Sequence, residues 1–157
     1  MAFFNIAGAR IEGAQFLDLF AGSGAFSFEA VSRGAAYAIA IDHDRKSVAT
    51  IARLAQEWSA PVTPIASDVF LGIPRLGNAV SPGARFDVVY ADPPYSFDRY
   101  DDLLAAIDGN VPLADGALVG IEHQRRSEPF PTQYKRLQAT RRAEYGEVWI
   151  TLFEAAR

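Results

Sequence analysis

The 157-residue chain contains no cysteine and only two histidines. Without thiols, a disulfide scaffold, a thiolate metal site and a cysteine nucleophile are all excluded. His43 and His123 belong to no metal-ligand spacing, so no metal is assigned, and no Ser–His–Asp arrangement can be read. No stretch approaches the ~18 unbroken apolar residues of a membrane helix. The start, Met1-Ala2-Phe3-Phe4-Asn5, has no basic region ahead of an apolar run, so no secretory signal is read. Internal repeats, low-complexity tracts and linkers are also missing. A monomeric cytoplasmic protein without membrane contact is expected.

Half of the residues are hydrophobic and 22% are charged, which supplies a core and excludes disorder over most of the chain. The length fits a single domain, residues 1–157, at roughly 100–200 residues per domain. The net charge of −4 argues against coating nucleic acid by bulk charge. Its distribution says more. Residues 1–122 hold 8 basic and 15 acidic side chains, whereas Arg125, Arg126, Lys135, Arg136, Arg141 and Arg142 face only Glu128 within residues 123–142. A basic segment therefore sits on an acidic body, either as a solvated hairpin or as a contact for RNA.

Strand-like and helix-like segments alternate. Gln15 to Phe20 reads as a buried strand and Ala25 to Arg33 as a helix, with Gly34 at its C-terminal cap. Tyr37 to Ile41 is a strand, followed by a helix with Val48, Ile51, Ala52 and Ala55 on one face. Val62 to Ala66 is a weak strand, residues 72–85 a turn-rich crossing, and Phe86 to Ala91 a buried strand. Tyr100, Leu103, Leu104 and Ile107 mark a further helix, and Ala117 to Glu122 a fifth strand. Two last strands are expected around Tyr134 to Leu137 and Val148 to Phe153, with Gly146 in the turn between them. The pattern predicts an α/β fold: a mostly parallel, doubly wound sheet of about seven strands with an antiparallel C-terminal edge.

Ligands of such sheets bind outside the carboxyl ends of the strands. Asp18, Asp42, Asp68 and Asp92 all fall there, and a cationic ligand would offset their mutual repulsion. Asp18-Leu19-Phe20-Ala21-Gly22-Ser23-Gly24 is a glycine-rich strand-to-helix turn that lets backbone N–H groups approach a ligand. A dinucleotide fingerprint would continue to Gly or Ala where Ser27 stands, so the nicotinamide reading loses ground. Asp42 lies about 20 residues on, as a ribose-binding acid does, although Asp42 or Asp44 could equally cap the next helix. Asp68 could accept from an adenine amine while the Val69 N–H bonds the ring; a solvated loop acid is the alternative.

Asp92-Pro93-Pro94-Tyr95 is the sharpest feature. Two prolines stiffen the loop and remove two donors, leaving carbonyl acceptors beside a carboxylate and an aromatic face. Acceptors on both N–H bonds of an exocyclic amine, whose lone pair is delocalised into its ring, would free that lone pair for attack.

Together these motifs resemble the Rossmann-like class I S-adenosylmethionine-dependent methyltransferases that modify exocyclic amines. Leu17 to Ala25 and Glu29-Ala30-Val31-Ser32-Arg33-Gly34-Ala35, with Phe4-Asn5-Ile6, Ile121-Glu122 and Tyr145-Gly146, are similar to the bacterial RsmD type. That family methylates guanine N2 of 16S rRNA. The resemblance implies that Asp18, Phe20, Ala21, Gly22, Ser23 and Gly24 hold the methionine half of the cofactor. It places Asp42 and His43 at the ribose, and Asp68 and Val69 at the adenine. Asp92, Pro93, Pro94 and Tyr95 would polarise the amine and stack on a flipped base, in rRNA of small-subunit particles. Family members carry a basic N-terminal extension before the helix containing Phe4-Asn5-Ile6, and here Met1 falls inside that helix. Alternatives are a DNA adenine-N6 methyltransferase, which shares both motifs, and a cofactor-binding module disabled by lacking the extension. A protein glutamine methyltransferase would more usually show Asn at the Asp92 position.

Overall fold

The computed structural model describes residues 1–126 and 128–157. Seven strands form one sheet: β1 (Gln15–Leu19), β2 (Tyr37–Asp42), β3 (Val62–Ala66), β4 (Phe86–Ala91), β5 (Leu113–Gln124), β6 (Leu137–Tyr145) and β7 (Val148–Ala155). Their order is β3-β2-β1-β4-β5-β7-β6. The first five run parallel, while β7 is antiparallel to both β5 and β6. Strand order thus reverses between β1 and β4, which remain parallel, and a crevice opens at their carboxyl ends.

Alternation sorts the buried strand residues to two sides. Leu17, Leu19, Val89, Ala91 and Ile121 join Leu103, Leu104 and Ile107 of helix α6 (Tyr100–Asn110) on one side. On the other, Phe16, Val88, Tyr90 and Leu118 pack with α1 (Ala2–Ala7), α2 (Ala25–Ser32) and α3 (Arg45–Glu57). Phe3 of α1 packs so closely on β5 that a Cβ at Gly120 would stand 2.5 Å from its Cε1 atom. Asp44 caps α3, its Oδ2 accepting from Ser47 N–H and Oγ–H at 3.3 and 2.7 Å.

Two expectations fail. The crossing at 72–85 is helical in its first half, where α4 (Val69–Gly72), a 3-10 turn (Ile73–Arg75) and α5 (Leu76–Ala79) bury Ile73 and Leu76 against the sheet, and only residues 80–85 form the expected turns. The sixth strand is not centred on Tyr134 to Leu137 but starts at Leu137 and runs to Tyr145. It is an edge strand with little apolar alternation, and its register shifts between Ala139 and Arg141, so its pattern does not read as a strand. No helix among the described residues is long and apolar enough to cross a membrane.

Candidate functional site

The loop after β1 is held by its neighbours. Ala21 N–H donates to Ile41 O at 2.9 Å, and Gly24 N–H to Ala21 O at 2.9 Å. Phe20, Gly22 and Gly24 all have positive φ, at 60°, 55° and 80°. The two glycines serve different ends. A Cβ on Gly24 would stand 2.8 Å from Ile51 of α3, so this position is set by packing, whereas a Cβ on Gly22 would meet nothing within 4 Å. Gly22 is therefore the point where the backbone faces open space. Ser23 is exposed at the tip.

Asp42 is the anchor of this region. Its Oδ2 accepts from Gly22 N–H at 2.8 Å and its Oδ1 from Asp44 N–H at 2.9 Å, so it ties β2 to the glycine loop rather than capping α3. Asp68 caps the four-residue α4: its Oδ1 accepts from Phe70 and Leu71 N–H at 2.9 and 3.3 Å. With Phe20, Gly22 and His43, these acids line a cleft of about 520 Å³, well inside the ~300–1,000 Å³ range of small-molecule sites. Phe70, Phe97 and Arg99 complete its wall. Phe97 meets Phe20 edge-on at 5.2 Å, and the Arg99 guanidinium lies 4.1 Å above Phe70. The sequence reading gives these three no role, because they follow no motif and come together only through the fold.

Two candidates stand back from the cleft. The Val69 side chain is buried in the core, leaving only its backbone for a ligand. Asp18 is 2% exposed and its Oδ2 accepts from Ser27 Oγ–H at 2.7 Å. Parity explains this: Asp18 faces α2, opposite Leu17 and Leu19, and so supports the loop from beneath. Burial pushes its carboxyl up to about 7, against the lowering effect of the Ser27 hydrogen bonds. Ser27, which interrupts a dinucleotide fingerprint, is thus the partner of a buried acid.

A second, smaller cavity of about 140 Å³ opens beside the first, lined by Asp92, Pro93, Tyr95, Tyr100, Glu122 and His123 among others. Asp92 and Pro94 belong to both walls. Pro94 O accepts from Phe97 N–H at 2.9 Å. Tyr95 is 86% exposed, its ring free at the rim. Ala91 pairs with Ile121, so Asp92 and Glu122 are the next residues on adjacent parallel strands. Desolvation, then hydrogen bonding and repulsion from Glu122 and repulsion from Asp18, push the Asp92 carboxyl up to about 7. Asp92 itself is exposed at the mouth of the cavity. Glu122 has no role in the sequence reading beyond its place in a matching string; the signal available was its position beside Asp92 at a strand end.

His123 points to the opposite side of β5. Its Nδ1 lies 2.8 Å from Gln124 O, which can only accept, so Nδ1 carries the proton and Nε2 accepts from Thr151 Oγ–H at 2.7 Å. Burial lowers its pKa, and the nearby Arg126 and Arg142 charges lower it further, so the ring is a neutral packing residue.

The basic segment is divided. Arg125 and Arg126 follow β5 near the Asp92 pocket, and Arg126 lies 4.1 Å above the Phe130 ring. Arg141 and Arg142 stand on β6, with Arg142 4.2 Å above Trp149. Lys135 and Arg136 are at the far end of the sheet. There Arg136 donates to Leu113 O at 3.1 Å and to Ala156 O at 3.3 Å, and pairs with Asp115. Because β6 starts two residues after Lys135 and runs parallel to β5, its first and second halves lie at opposite ends of the molecule. The six charges expected to act together do not form one patch.

The family model described as Conserved hypothetical protein 95 matches residues 1–154. Ribosomal RNA small subunit methyltransferase D of Escherichia coli strain K12 is 30% identical over 152 residues, covering 96% of this chain and 73% of that one. The solved structure of YhhF from Escherichia coli superposes with a TM-score of 0.84 at 28% identity, over 99% of this chain and 82% of that chain. A more distant structure is the Thermus thermophilus 16S rRNA N2 G1207 methyltransferase RsmC in complex with AdoMet and guanosine. It shares the fold, with a TM-score of 0.68 at 21% identity, over 99% of this chain and 41% of that one.

Proposed function

The chain belongs to the Conserved hypothetical protein 95 family, the RsmD-type rRNA methyltransferases, and from that premise we propose that it methylates the exocyclic N2 amine of a guanine in 16S rRNA, with S-adenosylmethionine as donor. One observation carries the reading: two cavities, one sized for a nucleoside-bearing cofactor and one lined by acceptors, share the Asp92 and Pro94 wall.

The donor cleft suits this cofactor. It combines the open backbone at Gly22, the carboxylates of Asp42 and Asp68 and the rings of Phe20 and Phe97. Phe20, Ala21, Gly22, Ser23 and Gly24 would hold its methionine half, Asp42 with His43 its ribose, and Asp68 with the Val69 backbone its adenine. When bound, S-adenosylmethionine supplies an electrophilic methyl group on a positively charged sulfur, which the acids of the rim also stabilise.

The chain's own residues prepare the acceptor. Asp92 and the Pro93 carbonyl accept hydrogen bonds from the target amine and raise its nucleophilicity. A carboxylate titrating near 7 is suited to take the proton that the methylated nitrogen sheds. Tyr95 offers its exposed face to a base turned out of its stack, an extrusion that costs a few kcal/mol. Arg125, Arg126, Arg141 and Arg142, on the half of the basic segment nearer the Asp92 pocket, would meet flanking phosphates. Orientation of two bound partners supplies much of the rate.

The deciding experiment is transfer of labelled methyl from S-adenosylmethionine to small-subunit particles lacking this modification, followed by nucleoside analysis. N2-methylguanosine is the expected product. N6-methyladenosine, formed on DNA, would move the chain to the adenine reading. No transfer to either, with S-adenosylhomocysteine still bound, would leave a cofactor-binding module.

A further inference from the structure

Polarising the target amine employs Asp92 and the Pro93 carbonyl, and leaves Glu122 without a task. Register brings Glu122 level with Asp92, and both line the same cavity with Tyr95. By strand alternation Asp92 and Glu122 share the side of the sheet on which Tyr90 is packed. Among the described residues, the buried Tyr90 hydroxyl has no hydrogen-bond partner. Burial and the Glu122 and Asp92 carboxylates raise its pKa, so it remains a protonated donor beside them.

Two carboxylates held side by side repel one another, and covering them with an aromatic ring raises that cost. A ligand that presents two adjacent donors relieves it. Guanine has such an edge, with N1–H beside the N2 amine. Adenine and cytosine instead set an acceptor nitrogen beside their amines, and a carboxylate facing that nitrogen loses a partner and gains repulsion. We propose that Glu122 is a specificity-determining residue that accepts the N1–H of the target guanine while Asp92 accepts from its N2 amine. The inference rests on the guanine-N2 reading above and gives this pocket a physical reason to take guanine.

The test uses 2,6-diaminopurine, which keeps the amine at C2 but carries an acceptor at N1. Transfer to particles first locates the methylated nucleotide. A short RNA is then made with that nucleotide as guanine or as 2,6-diaminopurine, and methyl transfer to both is measured for the parent, Glu122→Ala and Glu122→Gln. The parent should favour guanine on the order of 10- to 100-fold, the size of a well-placed base contact. Both variants should lower that ratio several-fold, Glu122→Gln more, because its amide can donate to the diaminopurine N1. Calorimetric affinity for S-adenosylhomocysteine should stay the same in all three. A merely structural role would lower transfer to both RNAs equally, and an unchanged ratio overturns the proposal. An equal preference in the parent overturns it too. If the parent methylates no guanine in the particles, the functional reading fails, and the inference falls with it.

Discussion

Asp92 gathers the chemistry of both cavities, so its removal separates binding from turnover. Asp92→Ala should leave S-adenosylhomocysteine affinity nearly intact and cost about 2.7–4 kcal/mol in methyl transfer, as for loss of one positioned electrostatic group. Because the Asp92 carboxyl is pushed up to about 7, its acceptor form is lost below that pH. kcat/KM should therefore fall as pH drops through about 7 and level off above it; a flat profile from pH 6 to 8 would remove Asp92 from the titrating step. Asp18 makes a different prediction. Its folded carboxyl titrates near 7 against 3.8 for the free group, so the folded state binds more protons between those values. The stability it contributes is complete below about pH 4 and is lost as pH rises through 7. Asp18→Asn should flatten that decline, read from denaturant midpoints at pH 5 and pH 8. The sequence reading put Asp18 and Asp92 on one rim; Asp92 does follow β4, whereas Asp18 lies within β1 and is buried beneath the loop. The sequence could not say that side-chain parity turns Asp18 toward Ser27 and Asp92 toward Glu122, since both partners come from other elements.

Among the elements, α1 depends on an absence in β5. The Phe3 ring occupies the place a side chain at 120 would fill. Gly120→Ala should destabilise by about 1–3 kcal/mol through overpacking. Phe3→Leu should cost less in the Gly120→Ala background than in the parent, and additive losses in a double-mutant cycle would show that the two do not touch. The charged elements divide in a way that sequence distance conceals. Lys135 and Arg141 are six residues apart, yet one lies at the β6 start beside the amino end of β5 and the other beyond the register shift toward the rim. Reversing Arg125 and Arg141 to Glu should weaken rRNA binding and flatten its salt dependence, while Lys135→Glu should do neither. Equal effects from both ends would mean that RNA wraps the whole edge. β1, β2 and β4 were legible because they are short apolar runs that end at an Asp or run into a Gly turn, while β5 was read only over its apolar middle and extends past it at both ends. β6 was not legible, because an edge strand with one wet face and a bulge carries no apolar period.

At the scale of the molecule, the donor cleft exists only when loops after β1, β2, β3 and β4 are assembled, since its wall joins residues from Phe20 to Arg99. The unfolded chain has no such surface, so a ligand of the cleft stabilises the fold by mass action. S-adenosylhomocysteine at about 100 times its Kd should add about 2.7 kcal/mol and raise Tm, and NAD should add nothing. Asp42 lets the origin of that gain be traced. Its carboxylate accepts from the Gly22 and Asp44 N–H groups, so Asp42→Ala should lower Tm even without ligand. The same change should weaken ligand binding by about 1–3 kcal/mol, the range for lost charge-assisted hydrogen bonds. The ligand-dependent part of the Tm shift should therefore shrink beyond the loss seen without ligand. If Asp42→Ala lowers only the ligand-free Tm, the carboxylate ties the loop and does not touch ribose. A Tm rise with NAD and none with S-adenosylhomocysteine would instead assign the cleft to the dinucleotide chemistry that Ser27, bound to Asp18, argues against.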